Sequence, residues 1–115
     1  MKFQHLFVTA ITAVFVTGCA TVPPAKLSVP NADQQALFKH VVLGSLKDPD
    51  SAKFGEMVLV DDGKGACVEV NAKNGFGGYT GYQQAILMNY ERINLGWRVK
   101  DFKNITREEC IDELH

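Results

Sequence analysis

The stretch Glu56-Met-Val-Leu-Val-Asp-Asp-Gly-Lys-Gly-Ala-Cys-Val-Glu-Val70 decides the fold. Met57 to Val60 is an apolar run of strand length, Asp61 to Gly65 is turn chemistry, and Ala66 to Val70 is a second short run. Two β-rich runs joined by Asp and Gly predict a β-hairpin, and with it an antiparallel sheet.

Outward from the hairpin the period changes. On its N-terminal side Asn31 to Leu46 predicts a helix, with Asn31 and Gln34 in capping-box positions and Asp33 suited to the positive helix start. Leu37, Phe38, Val41, Val42 and Leu46 recur as one buried stripe. Lys47-Asp48-Pro49 ends the helix, and Asp48 can cap a short turn that has proline in its first position. On the C-terminal side Asn71 to Gly78 is loop-like, Tyr82 to Tyr90 carries a third strand, and Trp97 to Val99 suggests a fourth. Thr106-Arg-Glu-Glu109 is a capping box opening a last short helix that bears Cys110. The fold class is therefore α+β: a small antiparallel sheet of three to four strands, an N-terminal helix and a short C-terminal helix, forming one domain over residues 31–115.

The chain has 115 residues, 46% of them apolar, with 12 basic and 13 acidic side chains. That length admits one domain, and the apolar fraction is normal for a globular chain. A balanced charge gives none of the cationic footprint of a nucleic-acid binder.

Residues 1–18 have the layout of an export signal: Lys2 as a basic n-region, then Leu6 to Val16 as an apolar core too short for comfortable bilayer spanning. Val16-Thr17-Gly18-Cys19 follows. This order resembles a bacterial lipobox. The resemblance implies cleavage before Cys19 and acylation of that residue, which anchors the mature chain to a membrane. Multiple acyl chains give stable anchoring where one is marginal. Ala20 follows the cysteine in place of the aspartate that favours inner-membrane retention, so the resemblance implies the outer membrane, with the domain on its periplasmic face. Residues 19–30, with Pro23, Pro24 and Pro30, read as a flexible tether that lets the domain stand off the membrane.

Cysteine arithmetic follows from that. With Cys19 consumed by lipid, Cys67 and Cys110 are an even pair in an oxidising compartment, predicting one disulfide. Two thiols and the lone His40 do not make a four-ligand zinc site, and no cofactor motif is present.

The most distinctive stretch is Cys67-Val-Glu-Val-Asn-Ala-Lys-Asn-Gly-Phe-Gly-Gly-Tyr-Thr-Gly-Tyr82. Together with Leu46-Lys-Asp-Pro-Asp-Ser-Ala-Lys-Phe54 it resembles a signature of small, largely uncharacterised proteobacterial and phage-encoded exported proteins and lipoproteins. The match covers about a third of the chain, and Val68 stands where many relatives carry glycine. The resemblance implies a lipoprotein and assigns no catalytic residue.

Read from the residues, Asn71, Lys73, Asn74, Phe76, Tyr79 and Tyr82 are the candidate binding group: amphipathic rings on a glycine-rich loop suit a protein interface. A second reading of the same glycines is a backbone nest for an anion with Lys73 as counter-charge, although the spacing is no phosphate-binding fingerprint. The plainest is a structural connection whose rings pack on the sheet. Catalysis has little to draw on, since no Ser or Cys has a His and an acid to activate it. The expectation is a non-catalytic lipoprotein that binds another envelope component, a protein, as phage-exclusion lipoproteins and envelope inhibitors do. The alternative is a small envelope hydrolase of glycan or lipid using a carboxylate such as Glu69.

Overall fold

A computed structural model describes residues 23–115, so the export signal and Cys19 lie outside the described residues. The elements run β1 (Leu27–Ser28), α1 (Ala32–Leu43), β2 (Lys53–Val60), β3 (Gly65–Asn71), β4 (Gln83–Asn89), β5 (Trp97–Lys103) and α2 (Arg107–Leu114), with single 3-10 turns at Pro49–Ser51 and Glu91–Ile93. The strands form one antiparallel five-stranded sheet in the order β1-β2-β3-β4-β5. No helix of the described residues is long and apolar enough to cross a membrane.

The hairpin forms as its sequence predicts. Asp61, Asp62 and Gly63 all take positive φ, at 49°, 57° and 84°. Glycine takes such angles freely, and aspartate is among the few other residues that tolerate them. β3 is apolar almost throughout because both faces of the sheet are covered. Ala66, Val68 and Val70 point to one face, where Phe38 and Val42 of α1 pack with Leu59, Ala85 and Leu87. Cys67 points to the other, with Val58, Val60, Ile86 and Cys110 of α2. Cys67 and Cys110 are joined, the disulfide that the cysteine count predicts. A Cβ on Gly65 would lie 2.8 Å from Leu114 Cδ2 and 3.0 Å from the Leu87 carbonyl oxygen, so glycine there sets how closely α2 approaches the sheet.

Both predicted helix starts are present as full capping boxes, Asn31 with Gln34 and Thr106 with Glu109. Several expectations need correction. α1 ends at Leu43, not Leu46: Gly44 and Ser45 are poor helix formers, and the last turn tightens into Ser45 N–H to Val42 and Leu46 N–H to Leu43 bonds. Leu37 is exposed; the buried residues of α1 are Phe38 and Val42. Asp48 makes no side-chain cap to the following turn. β2 begins at Lys53, because a register shift between Phe54 and Met57 carries the strand past the Gly55-Glu56 bulge. β5 runs on to Lys103 past a second shift, which breaks the alternation that the sequence shows only over Trp97 to Val99.

The largest correction concerns the part of the expected tether, residues 19–30, that lies among the described residues, 23–30. Leu27 pairs with Val60 and Ser28 with Leu59, giving the sheet its fifth strand. Lys26 N–H donates to Asp61 Oδ1 at 3.1 Å, Asp61 N–H returns a bond to the Lys26 carbonyl at 2.8 Å, Ala25 packs against the α2 core, and Pro30 is buried. Pairing with a sheet edge outweighs the proline content, because neither Leu27 nor Ser28 is itself a proline.

His115 clamps the same entry. Its Nδ1 lies 2.7 Å from Asp61 Oδ2, and its Nε2 contacts the Pro23 carbonyl. A carboxylate and a carbonyl only accept, so both ring nitrogens must donate and the clamp is complete only with imidazolium. The hydrogen bond to Asp61, and after it that to Pro23, raises the His115 pKa above its ordinary 6.5, while the His115 bond and the Lys26 N–H lower that of Asp61 below 3.8. The clamp therefore stabilises the fold fully below the unfolded His value of about 6.5 and loses that contribution as pH rises through the folded value. At the acid end Asp61 loses its share as pH falls through its lowered pKa. Replacing His115→Gln is expected to lower the melting temperature most between about pH 5 and 6.5 and to converge on the parent at alkaline pH. A difference that grows with rising pH would contradict the charged clamp.

Candidate functional site

The sheet is a meander, so its connections fall alternately at two ends. The β2–β3 turn, the β4–β5 loop, the entry of β1 and the C-terminus of α2 share one end; the β3–β4 loop, Ala72 to Tyr82, occupies the other. That second loop holds the candidate residues.

It is a tied structure rather than a slack one. Lys73 and Tyr79 form an isolated antiparallel bridge, Asn74 N–H donates to Gly78 at 2.8 Å, and Gly77 N–H donates to Asn74 at 3.0 Å. Asn74 Oδ1 accepts from Phe76 N–H at 2.9 Å and Gly78 N–H at 3.3 Å, an Asx-type closure. Gly77 and Gly81 supply positive φ. At the base Thr80 bonds the Ala72 carbonyl, and Lys73 N–H donates to Ser51 Oγ at 2.9 Å, tying the loop to the Pro49–Ser51 turn.

The tied loop carries Phe76 at its tip, 99% exposed, with Tyr79 and Tyr82 exposed below it. Packing of these rings on the sheet, the structural reading, is thus overturned for Phe76. Two ammonium groups approach the Tyr79 ring, Lys53 Nζ 4.7 Å and Lys73 Nζ 5.5 Å from its centroid, which holds the ring by cation–π attraction and makes the surface both aromatic and cationic.

Of the six candidates, Lys73, Phe76, Tyr79 and Tyr82 form this surface. Asn74 is spent on closing the loop, and its oxygen takes the N–H groups that an anion nest would offer. Asn71 is half-buried at the end of β3, with Oδ1 enclosed and unpaired, apart from the exposed rings of the loop. Lys53 is the residue that sequence reasoning missed. It reaches Tyr79 because β2 starts early enough to pair Lys53 with Asn71, a register that only Gly55, a common bulge residue, hints at.

Glu69 has a structural task. Its Oε2 accepts from Glu56 N–H at 3.2 Å, across the bulge, and stands 2.4 Å from where a Cβ on Gly55 would be. The nearest cavity, about 380 Å³, is lined by Gly55, Glu56 and Arg107 but not by Glu69. His40 is exposed in the last turn of α1, and on the acidic face of α2 Glu109 caps its own helix while Glu113 pairs with Lys103 at 2.6 Å. Among the described residues no group of three or more His, Cys, Asp or Glu could hold a metal ion.

With this geometry in view, comparison with known proteins adds no relative. No family model, curated protein or solved structure matches the chain.

Proposed function

We propose that this chain is a lipoprotein anchored through Cys19 to the outer membrane, and that its periplasmic domain captures another envelope protein through Phe76, Tyr79 and Tyr82, flanked by Lys53 and Lys73. The observation that carries this reading is the full exposure of Phe76 on a loop held rigid by its own hydrogen bonds. A buried phenylalanine side chain is worth about 1.5–3 kcal/mol, and a loop so tied could have folded it inward. Rigid aromatic anchors lose little entropy on docking and are enriched at interfaces.

The anchor is supported by the export-like N-terminus and by the disulfide, which takes up the other two of the three cysteines. The two ends of the sheet support a division of labour. Pro23 enters beside the β2–β3 turn, and the aromatic loop lies at the opposite end, directed away from an anchored surface. The role is that of a presented contact surface, of the kind that blocks a receptor or inhibits an envelope enzyme.

The test is photo-crosslinking in cells. A photoreactive residue at Gly75, whose Cβ meets nothing within 4 Å, is expected to capture a single envelope protein. The double variant Phe76→Ala/Tyr79→Ala is expected to lose that capture while its stability stays within about 0.5 kcal/mol of the parent. Capture of the same protein by the double variant would remove the loop from the reading. Palmitate labelling that persists in Cys19→Ser would remove the anchor.

A further inference from the structure

The end of the sheet opposite the aromatic loop carries a second exposed apolar surface. The β4–β5 loop, Tyr90 to Gly96, turns through a left-handed Asn94 and projects Ile93, 62% exposed, and Leu95, 50% exposed. Its backbone is closed by Tyr90 N–H to Gly96 at 2.8 Å, Ile93 N–H to Tyr90 at 3.1 Å and Asn94 N–H to Glu91 at 3.0 Å, so the apolar pair is held outward. Arg98 Nε donates to the Leu95 carbonyl at 3.1 Å and fixes a guanidinium beside it.

This loop is fastened to the β2–β3 turn. Asn89 Nδ2 donates to the Gly63 carbonyl at 3.1 Å and Asn89 N–H to the Lys64 carbonyl at 3.0 Å. A shallow cavity of about 320 Å³ runs between the two turns, bordered by Lys64, Tyr90, Arg92 and Ile93. The same β2–β3 turn holds the incoming chain, through Asp61 to Lys26 and through His115 to Pro23.

We infer that the Tyr90–Gly96 loop is a second membrane contact, with Ile93 and Leu95 entering the interfacial layer of a phospholipid bilayer. The inference rests on the proposed lipid anchor at Cys19. Three residues lie between Cys19 and Pro23, so the four Cα steps reach at most about 14 Å in an extended chain. Because β1 and the His115 clamp bind the segment from Pro23 onward, no longer tether is available, and this end of the sheet is drawn to the surface that holds the acyl chains. A bilayer is the occupant that the short leash selects. Interfacial contacts combine apolar side chains in the acyl boundary with basic groups at the phosphates. Arg92, Arg98 and Lys64 supply the basic groups here, with Lys26 paired to Asp62; Glu91 and Asp112 are further exposed acids at the same end, so the apolar pair and not net charge dominates the contact.

The test is amide hydrogen exchange on vesicles of phosphatidylethanolamine with a minority of phosphatidylglycerol. Two preparations are compared: the mature lipidated chain, and a Cys19→Ser chain held by an N-terminal histidine tag on nickel-chelating lipid. In both, exchange over Tyr90–Gly96 is expected to slow about tenfold relative to the Cys19→Ser chain in solution, with exchange over Ala72–Tyr82 unchanged. Ile93→Ser/Leu95→Ser is expected to abolish that slowing without changing exchange in β3 and β4. Unchanged exchange over Tyr90–Gly96 in tag-held chains that float with the vesicles would overturn the contact. Slowing over Ala72–Tyr82 instead would overturn it too, by placing the domain the other way up. Slowing in the tag-held chain, together with native protein lacking lipid on Cys19, would uphold the contact surface and sink the anchor.

Discussion

Replacing both bridging residues, Cys67→Ala/Cys110→Ala, is expected to cost the domain about 4 kcal/mol, the chain-entropy value for a loop of this length. The two cysteines are 43 residues apart and both are fully buried. A domain of this size has on the order of 5–10 kcal/mol of stability in total, so the variant keeps roughly 1–6 kcal/mol and unfolds at a much lower urea concentration. The loss begins in α2. That helix has 8 residues, fewer than the ~12–15 an isolated helix needs, and Cys110 is its buried residue. Once released, α2 withdraws Ile111 and Leu114 from Val58, Val60 and Ile86 and takes the His115 clamp with it. Urea unfolding of the oxidised protein, the reduced protein and the double variant measures this. Coincident midpoints for all three would show that the staple contributes nothing.

Phe38→Ala is expected to cost about 3–5 kcal/mol, the range for removing a buried aromatic ring. α1 has two buried residues, Phe38 and Val42, so its hold on the sheet depends on them. Phe38 is fully buried and meets Trp97 edge-on, with ring centroids 4.7 Å apart and planes at 64°. Trp97 is the single tryptophan, so its fluorescence reports the site directly and should shift to the red in the variant. Phe38→Leu, which keeps most of the volume, should lose less than about 1.5 kcal/mol. Equal losses for the two variants, or an unshifted Trp97 spectrum, would mean that α1 is held elsewhere.

These two sites were legible to different degrees. The pairing of Cys67 with Cys110 follows from counting thiols once Cys19 is assigned to lipid, without any geometry. Phe38 stands out as part of a helical stripe, but Leu37 looks equally buried in that pattern and is not. The difference is set by which side of α1 meets the sheet, and the hydrophobic period of so short a helix leaves that rotation open. The aromatic loop was legible in composition and illegible in role. Gly, Asn and Tyr between two strands describe both a structural turn and a binding tip. What separates them is Asn74, whose side chain satisfies the loop from within and leaves Phe76 outside.

The sequence by itself determined the features that act over three or four residues or within one turn. These are the capping boxes at Asn31 and Thr106, the hairpin around Asp61 to Gly65, and the α+β order of elements. Each is closed by neighbours in the chain, so local chemistry suffices. Only the tertiary structure decided that Leu27 and Ser28 form a strand, that Lys53 faces Tyr79, and that the incoming chain and the aromatic loop stand at opposite ends of the sheet. These depend on register between segments tens of residues apart. That register is chosen by how the buried faces of the whole sheet fit together, and no short stretch of sequence contains that information.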